Sequence, residues 1–146
     1  MRDVTRRKFL AAGFAVGSLL LVTALLSTFS VVLVIKCDKR SYPVGSSAHI
    51  DILLTYGPNL VRGAVTIPSA SYEILISGPS GPVLAARAYV HTEEPLKILP
   101  NTTQKIGEFD WDLRDASGNL VTPGSYAVTV TLLDYPVSGE ANIHVY

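Results

Sequence analysis

From Phe9 to Ile35 the chain runs for 27 residues without a charge, and 20 of these are apolar. An α-helix needs about 20 such residues to cross a hydrocarbon core ~30 Å thick, so this run limits what the chain can be. Ser27, Thr28 and Ser30 soften the stretch, and Val31-Val32-Leu33-Val34-Ile35 after them is largely β-branched and suits a strand. The run therefore divides. Residues 1–8 are a basic n-region, residues 9–30 a transmembrane anchor or uncleaved signal, and residues 31–146 a domain opened by a strand. The helix itself is expected from Lys8 to about Phe29. Gly13 and Gly17 give it a small-residue face, a common feature of such segments.

The formal net charge of zero is the sum of two unlike parts. Residues 1–8 hold four positive side chains and one negative, whereas residues 36–146 hold eight positive and eleven negative. Basic flanks stay in the cytoplasm, so the N-terminus is expected inside and the domain outside. No basic surplus is left for nucleic acid. A length of 146 residues allows one ordinary domain beyond the anchor. A single cysteine excludes an intramolecular disulfide framework and Cys-rich zinc or iron–sulfur sites.

Thr5-Arg6-Arg7-Lys8-Phe9-Leu10 resembles the twin-arginine translocation signal, departing where Ala11 stands in place of lysine. Arg6, Arg7, Phe9 and Leu10 carry that likeness, which implies export of a folded protein. A cleavable signal has an apolar core of about 7–15 residues and an Ala-x-Ala-like site. This core is longer and no Ala-x-Ala follows it, so retention as an anchor is expected, with secretion as the outcome of cleavage. Lys36 precedes Cys37 where a lipoprotein signal has a small residue, which leaves Cys37 as a buried or idle thiol.

All nine prolines lie beyond residue 42, and between them run short stretches rich in Val, Ile, Leu, Tyr and Thr. Strands are expected over 31–37, 49–56, 71–76, 83–90, 105–113, 126–133 and 141–146. In the second, Ile50, Ile52 and Leu54 share one face; in the fifth, Phe109, Trp111 and Leu113 oppose Glu108, Asp110 and Asp112. About seven such strands, with turn signals between them, predict an all-β, Ig-like antiparallel β-sandwich with Trp111 in its core.

The segment from Phe109 to Tyr126 resembles the pattern W-D-x-x-D-x-x-G-x-x-V-x-P-G-x-Y of prokaryotic Ig-like domains, among them the BsuPI-type proteinase-inhibitor and hook-capping domains. Trp111, Asp112, Asp115, Gly118, Pro123, Gly124 and Tyr126 carry the likeness. It implies a fold whose members bind, space or cap, and hardly a particular task. Gly118 and Gly124 suit turn positions with positive φ, and Pro123 presets φ before a strand.

Few residues suggest chemistry. Asp110, Asp112 and Asp115, with Asn119, are the densest oxygen cluster and weak candidates for calcium, lacking EF-hand spacing. His49, His91 and His144 are far apart in sequence, and converging on a metal is the less expected outcome. No nucleophile motif or phosphate loop occurs, and neither catalysis nor a cofactor is expected. Asn101-Thr102-Thr103 is a glycosylation acceptor triplet.

Three readings follow. The first is a membrane-anchored extracytoplasmic binding or structural module, an accessory subunit of an exported or cell-surface complex, meeting protein partners through a sheet edge or its helix. The second is a subunit or stator of a surface filament. The third is a metal-binding or redox sandwich.

Overall fold

The computed structural model describes residues 31–57, 63–89 and 94–146. The expected membrane helix, the twin-arginine residues and His91 lie outside them. Residues 31–146 form one compact unit.

Ten strands make up the described residues, which contain no helix long and apolar enough to cross a membrane. They are β1 (Val31–Cys37), β2 (Ser41–Tyr42), β3 (Ala48–Tyr56), β4 (Val65–Ile67), β5 (Tyr72–Gly78), β6 (Gly81–Ala88), β7 (Leu96–Ile98), β8 (Thr102–Trp111), β9 (Gly124–Leu132) and β10 (Ser138–Val145). Three sheets result, ordered β1-β3-β8, β2-β10-β9-β5-β6 and β4-β7. The described residues are thus all-β. The seven expected strands are the long ones, and β2, β4 and β7 are additional.

Alternation explains the layering. In β3 every second residue, Ala48, Ile50, Ile52, Leu54 and Tyr56, is buried, and Val31, Leu33 and Ile35 of β1 lie on the same side. Tyr72, Ile74 and Ile76 of β5 and Tyr126, Val128, Val130 and Leu132 of β9 supply the buried face of the five-stranded sheet. All of these belong to one apolar cluster, so the two larger sheets close on a common core. Burying each such side chain contributes about 1.5–3 kcal/mol, which lets the core stand without a disulfide.

The first segment serves both sheets. β1 pairs with β3, and after Asp38 to Arg40 the chain reappears as β2, parallel to β10. The Asp38 carboxylate fixes this crossing by accepting the Tyr42 hydroxyl at 2.6 Å and the His49 amide at 3.0 Å. Gly139 of β10 lies so close to the Leu33 carbonyl that a Cβ there has no room.

Register defines two ends. Val31 pairs with Tyr56 and Tyr56 with Thr102; in the other sheet Tyr72 pairs with Ala88 and Leu132. The Gly139–Leu33 approach aligns these rows, so the start of β1 shares an end with the described parts, 63–71 and 94–101, of the connections into β5 and β8. Those connections carry β4 and β7, whose Ile67 and Ile98 cover that end of the core. At the opposite end lie the β8–β9 connection and Tyr146.

One expectation needs correction. Leu113 is buried but does not continue β8; the strand stops at Trp111, and Leu113 is left-handed with φ 56°. The chain turns there, and Leu113 reaches the core from the turn.

Candidate functional site

The outer face of the three-stranded sheet gathers most of the paired charge. Normal alternation would put residues three apart on opposite faces of a strand. In β8 it fails, because Ile52 pairs with Gly107 while Leu53 pairs with Lys105, leaving Ile106 as an extra residue. This bulge resets the phase, so Lys105 and Glu108 both flank Asp51 on the outer face.

Lys105 Nζ lies 2.6 Å from Asp51 Oδ1 and 2.6 Å from Glu108 Oε2. His49 Nδ1 is 2.6 Å from Asp110 Oδ1, and its Nε2 is 3.4 Å from Asp51 Oδ1. The hydrogen bond with Asp110, aided by Asp110, Asp51 and Glu108 as charges, raises the His49 pKa. The Lys105 ammonium lowers that of Asp51, and the two carboxylates beside Lys105 raise its own.

His49, Asp51 and Glu108 each offer a ligand atom, all within 4.8 Å of one another. Imidazole and carboxylates suit zinc or a similar ion. The Lys105 ammonium already sits between the two carboxylates, so a metal would have to displace it. As it stands, the cluster holds three carboxylates against one ammonium and one imidazole, and it is partly to fully exposed, a place where such pairs contribute little to stability.

The suggested calcium residues have three different partners instead of one site. Asp110 pairs with His49, Asp112 Oδ1 accepts the Arg114 amide at 3.3 Å, and Asp115 Oδ1 accepts the Ser117 and Asn119 amides, both at 2.9 Å. Asp51, Glu108 and Lys105, absent from the sequence-derived candidates, are what His49 and Asp110 meet. The only signal for them is the break in alternation between Lys105 and Glu108.

The signature residues build a corner. Trp111 is buried, donates from Nε1 to the Arg114 carbonyl at 2.8 Å, and meets Tyr126 edge-on at 5.5 Å and 62°. Asp115 folds an Asx-type turn whose Gly118 is left-handed at φ 83°. Gly124 is close to extended at φ 158°, 3.0 Å from Pro79 Cγ at the point where a Cβ would stand. Pro123 is exposed just before it. The Tyr126 hydroxyl donates to the Thr122 carbonyl at 2.6 Å. Beside this corner is a cleft of about 180 Å³ bordered by Pro79, Val83, Asp115, Thr122 and Tyr126. Ligand pockets usually measure ~300–1,000 Å³.

Asn101 is exposed and left-handed at φ 58°, at the turn into β8. Cys37 is half-buried, and desolvation together with the Asp38 charge raises its pKa. His144 is exposed on β10 and bonds through its amide to Arg40.

No family profile matches the sequence, and no curated protein matches it. Solved structures similar in backbone include the Pseudomonas fluorescens alkylpurine DNA glycosylase AlkC bound to abasic-site DNA, at 14% identity and TM-score 0.49, over 79% of this chain and 30% of that one. Another is the Bacillus subtilis sporulation control protein, at 16% identity and TM-score 0.48, over 80% of this chain and 49% of that one. A third is a Pyrococcus furiosus CARDB domain in complex with di-metal ions, at 11% identity and TM-score 0.44, over 82% of this chain and 90% of that one. This chain spans less than half the length of the first two. Likenesses this distant carry no functional inference.

Proposed function

We propose that the protein is a single-pass, membrane-anchored module with an extracytoplasmic Ig-like β-sandwich, and that it binds a protein partner without catalysis. The sheet orders support the Ig-like reading: a three-stranded sheet opposes one in which the first segment returns beside the last strand. The Tyr126–Thr122 bond supports it too, since a tyrosine near the start of the penultimate strand, tied to the backbone upstream, recurs in such sandwiches. Trp111 departs from antibody domains, standing at the end of β8 with no disulfide beside it. The BsuPI-type and hook-capping resemblance fits the same class, and protease inhibition follows from it alone.

The observation that carries the binding reading is the edge of β6. Two strands, β6 and β8, end their sheets away from the β1–β10 approach. β8 bears a mid-strand bulge and the Lys105–Glu108 pair, devices that discourage strand addition, whereas the bulge of β6, at Val83 beside Pro82, is confined to its start and leaves Leu84–Ala88 regular. β6 reads Gly81-Pro82-Val83-Leu84-Ala85-Ala86-Arg87-Ala88, and its one charge is paired to Glu73 at 3.0 Å. Among the described residues its outer edge takes one backbone bond, from the Ala116 amide to the Val83 carbonyl. An extended partner segment can add there by main-chain pairing.

A photocrosslinker at Ala85, in the full chain in native membranes, should capture a partner that the same probe at Thr103 of β8 does not. Equal capture at both positions, or none, would remove the β6 reading. Mass analysis of the native N-terminus separates the filament alternative, which expects a chain starting within residues 8–15.

A further inference from the structure

We infer that the partner at the β6 edge is a second copy of this chain, paired antiparallel about a two-fold axis at Ala86. The inference rests on the edge-binding reading above and names its occupant. Two backbone bonds fix which groups β6 turns outward. The Ala116 amide reaches the Val83 carbonyl from outside the sheet, and on the far side of β5 the Leu133 amide donates to the Ser71 carbonyl. In an antiparallel ladder a residue turns its N–H and C=O to the same neighbour, and successive residues alternate. Ser71 faces β9, so Tyr72, Ile74 and Ile76 face β6, where they pair with Ala88, Ala86 and Leu84. Ala85 and Arg87 therefore turn N–H and C=O to the open side, as the outward Val83 carbonyl also requires.

Those groups complement themselves. With Ala86 opposite Ala86 of the second copy, Ala85 lies opposite Arg87 in both directions, and each such pair can exchange both backbone bonds. Neighbouring registers fail. Centring on Ala85 calls on the Val83 carbonyl, which Ala116 already holds, and centring on Arg87 sets two arginines directly opposite. The ends agree too: β6 stops at Ala88, which falls beside Leu84 of the other copy, one residue short of the Ala116 bond.

The side chains fit this pairing. Arg87 keeps its 3.0 Å bond to Glu73 of its own chain and meets only Ala85 across the axis. On the other face Leu84, Ala86 and Ala88 lie beside Ile76, Ile74 and Tyr72, yet they are only half-buried while those neighbours are buried. An overhang is the cause. The Tyr72 ring fills the place of a Cβ on Gly107 of β8, so the last strand of the opposing sheet lies over β5 and β6 projects past it. A second β6 covers this strip with the same apolar residues, Leu84 against Ala88 and Ala86 against itself.

The test is disulfide trapping in the full chain in native membranes, with Cys37→Ser as the background. In this register the two Ala86 residues form a non-hydrogen-bonded pair with Cα atoms about 4.5 Å apart, within the ~4.4–6.8 Å that a disulfide spans. The two Ala85 residues lie on a diagonal of roughly 7–8 Å, beyond its reach. Ala86→Cys should give a covalent homodimer on mild oxidation. Ala85→Cys should give none, though residue 85 is the more exposed, and neither should Thr103→Cys on β8. Leu84→Cys co-produced with a tagged Ala88→Cys chain should give the mixed dimer, which covers an Ala86→Cys chain that does not fold. Adding Ala85→Pro to Ala86→Cys removes an outward N–H that the β5–β6 ladder does not use, and should abolish the dimer. Equal trapping at 85 and 86, or trapping at 86 that survives Ala85→Pro, overturns the two-fold pairing. No trapping in either cysteine design removes the second copy, and the Ala85 photocrosslinker then decides the wider reading. Capture of a different protein leaves the β6 edge as a binding site with another occupant; no capture removes both.

Discussion

The Tyr126 hydroxyl donates to the Thr122 carbonyl four residues upstream while its ring stands edge-on to Trp111. The bond and the ring can be separated. Tyr126→Phe removes only the donor, and Thr122 is exposed enough for its carbonyl to turn to water. The expected cost is about 0.5–1.5 kcal/mol. Tyr126→Ala also removes the ring that fills the space over Gly78, where a Cβ would lie 2.5 Å from Tyr126 Cε1. That cost is expected at ~3–5 kcal/mol. Urea unfolding of the full chain in detergent, followed by Trp111 emission, reads both. Equal losses would show that the hydroxyl alone holds the corner.

Gly139→Ala sets a methyl group against the Leu33 carbonyl, which is backbone and cannot swing aside. Overpacking of this kind costs about 1–3 kcal/mol, and the same unfolding experiment should show it. A neutral result would mean that β1 and β10 can separate without loss.

The imidazole of His49 should titrate above its ordinary value of about 6.5, read by NMR of the ring resonances. Its raised folded pKa means that its stabilising contribution is complete below the unfolded value and is lost as pH rises through the folded one. Asp51 runs the other way: its lowered pKa gives a contribution present above the unfolded value near 3.9 and lost as pH falls through the folded one. Asp110→Asn should bring the His49 midpoint down, and Lys105→Ala should push it up by freeing Asp51. Zinc should perturb the His49 resonances in Lys105→Ala and leave the unaltered protein little changed. A zinc response of equal size in both would show that the ammonium does not block the carboxylates.

Cys37 should alkylate slowly at pH 8 compared with a free thiol, because its raised pKa leaves less thiolate. Urea should remove the difference. As the chain has one cysteine, intact mass against time gives the rate directly. A rate equal to that of the unfolded chain would place the thiol in open solvent.

Periodicity makes the long strands legible in the sequence. Residues 49–56 largely alternate apolar and polar side chains against one buried face, residues 31–37 are marked instead by their β-branched run, and β1 and β3 lie over them to within a residue. Short elements leave no such trace. Ser41–Tyr42 is a strand only because His144 and Val145 lie beside it, and β4 and β7 are three residues each. Two or three residues cannot display a period, so their pairing is decided by tertiary contact. The charged cluster is half legible: His49 and Asp110 both fall on outward faces, but their meeting depends on the register of β3 with β8. The Ile106 bulge that adds Lys105 is written only as a phase shift, which resembles the ordinary end of a strand. The place of Leu113 in the core is legible and its departure from the strand is not, because an apolar side chain does not reveal the sign of φ.

β1 also has a mechanical consequence. It is bonded along its whole length to β3, from Val31 opposite Tyr56 to Cys37 opposite Ile50. A pull on the peptide bond joining Ser30 to Val31, directed along the strand, loads all of those bonds together instead of peeling them one at a time. The sheet is then strained in shear, the direction in which a β-ladder resists most. A tether entering the domain through this strand would hold against force applied at the far end long after an unzipping geometry had given way.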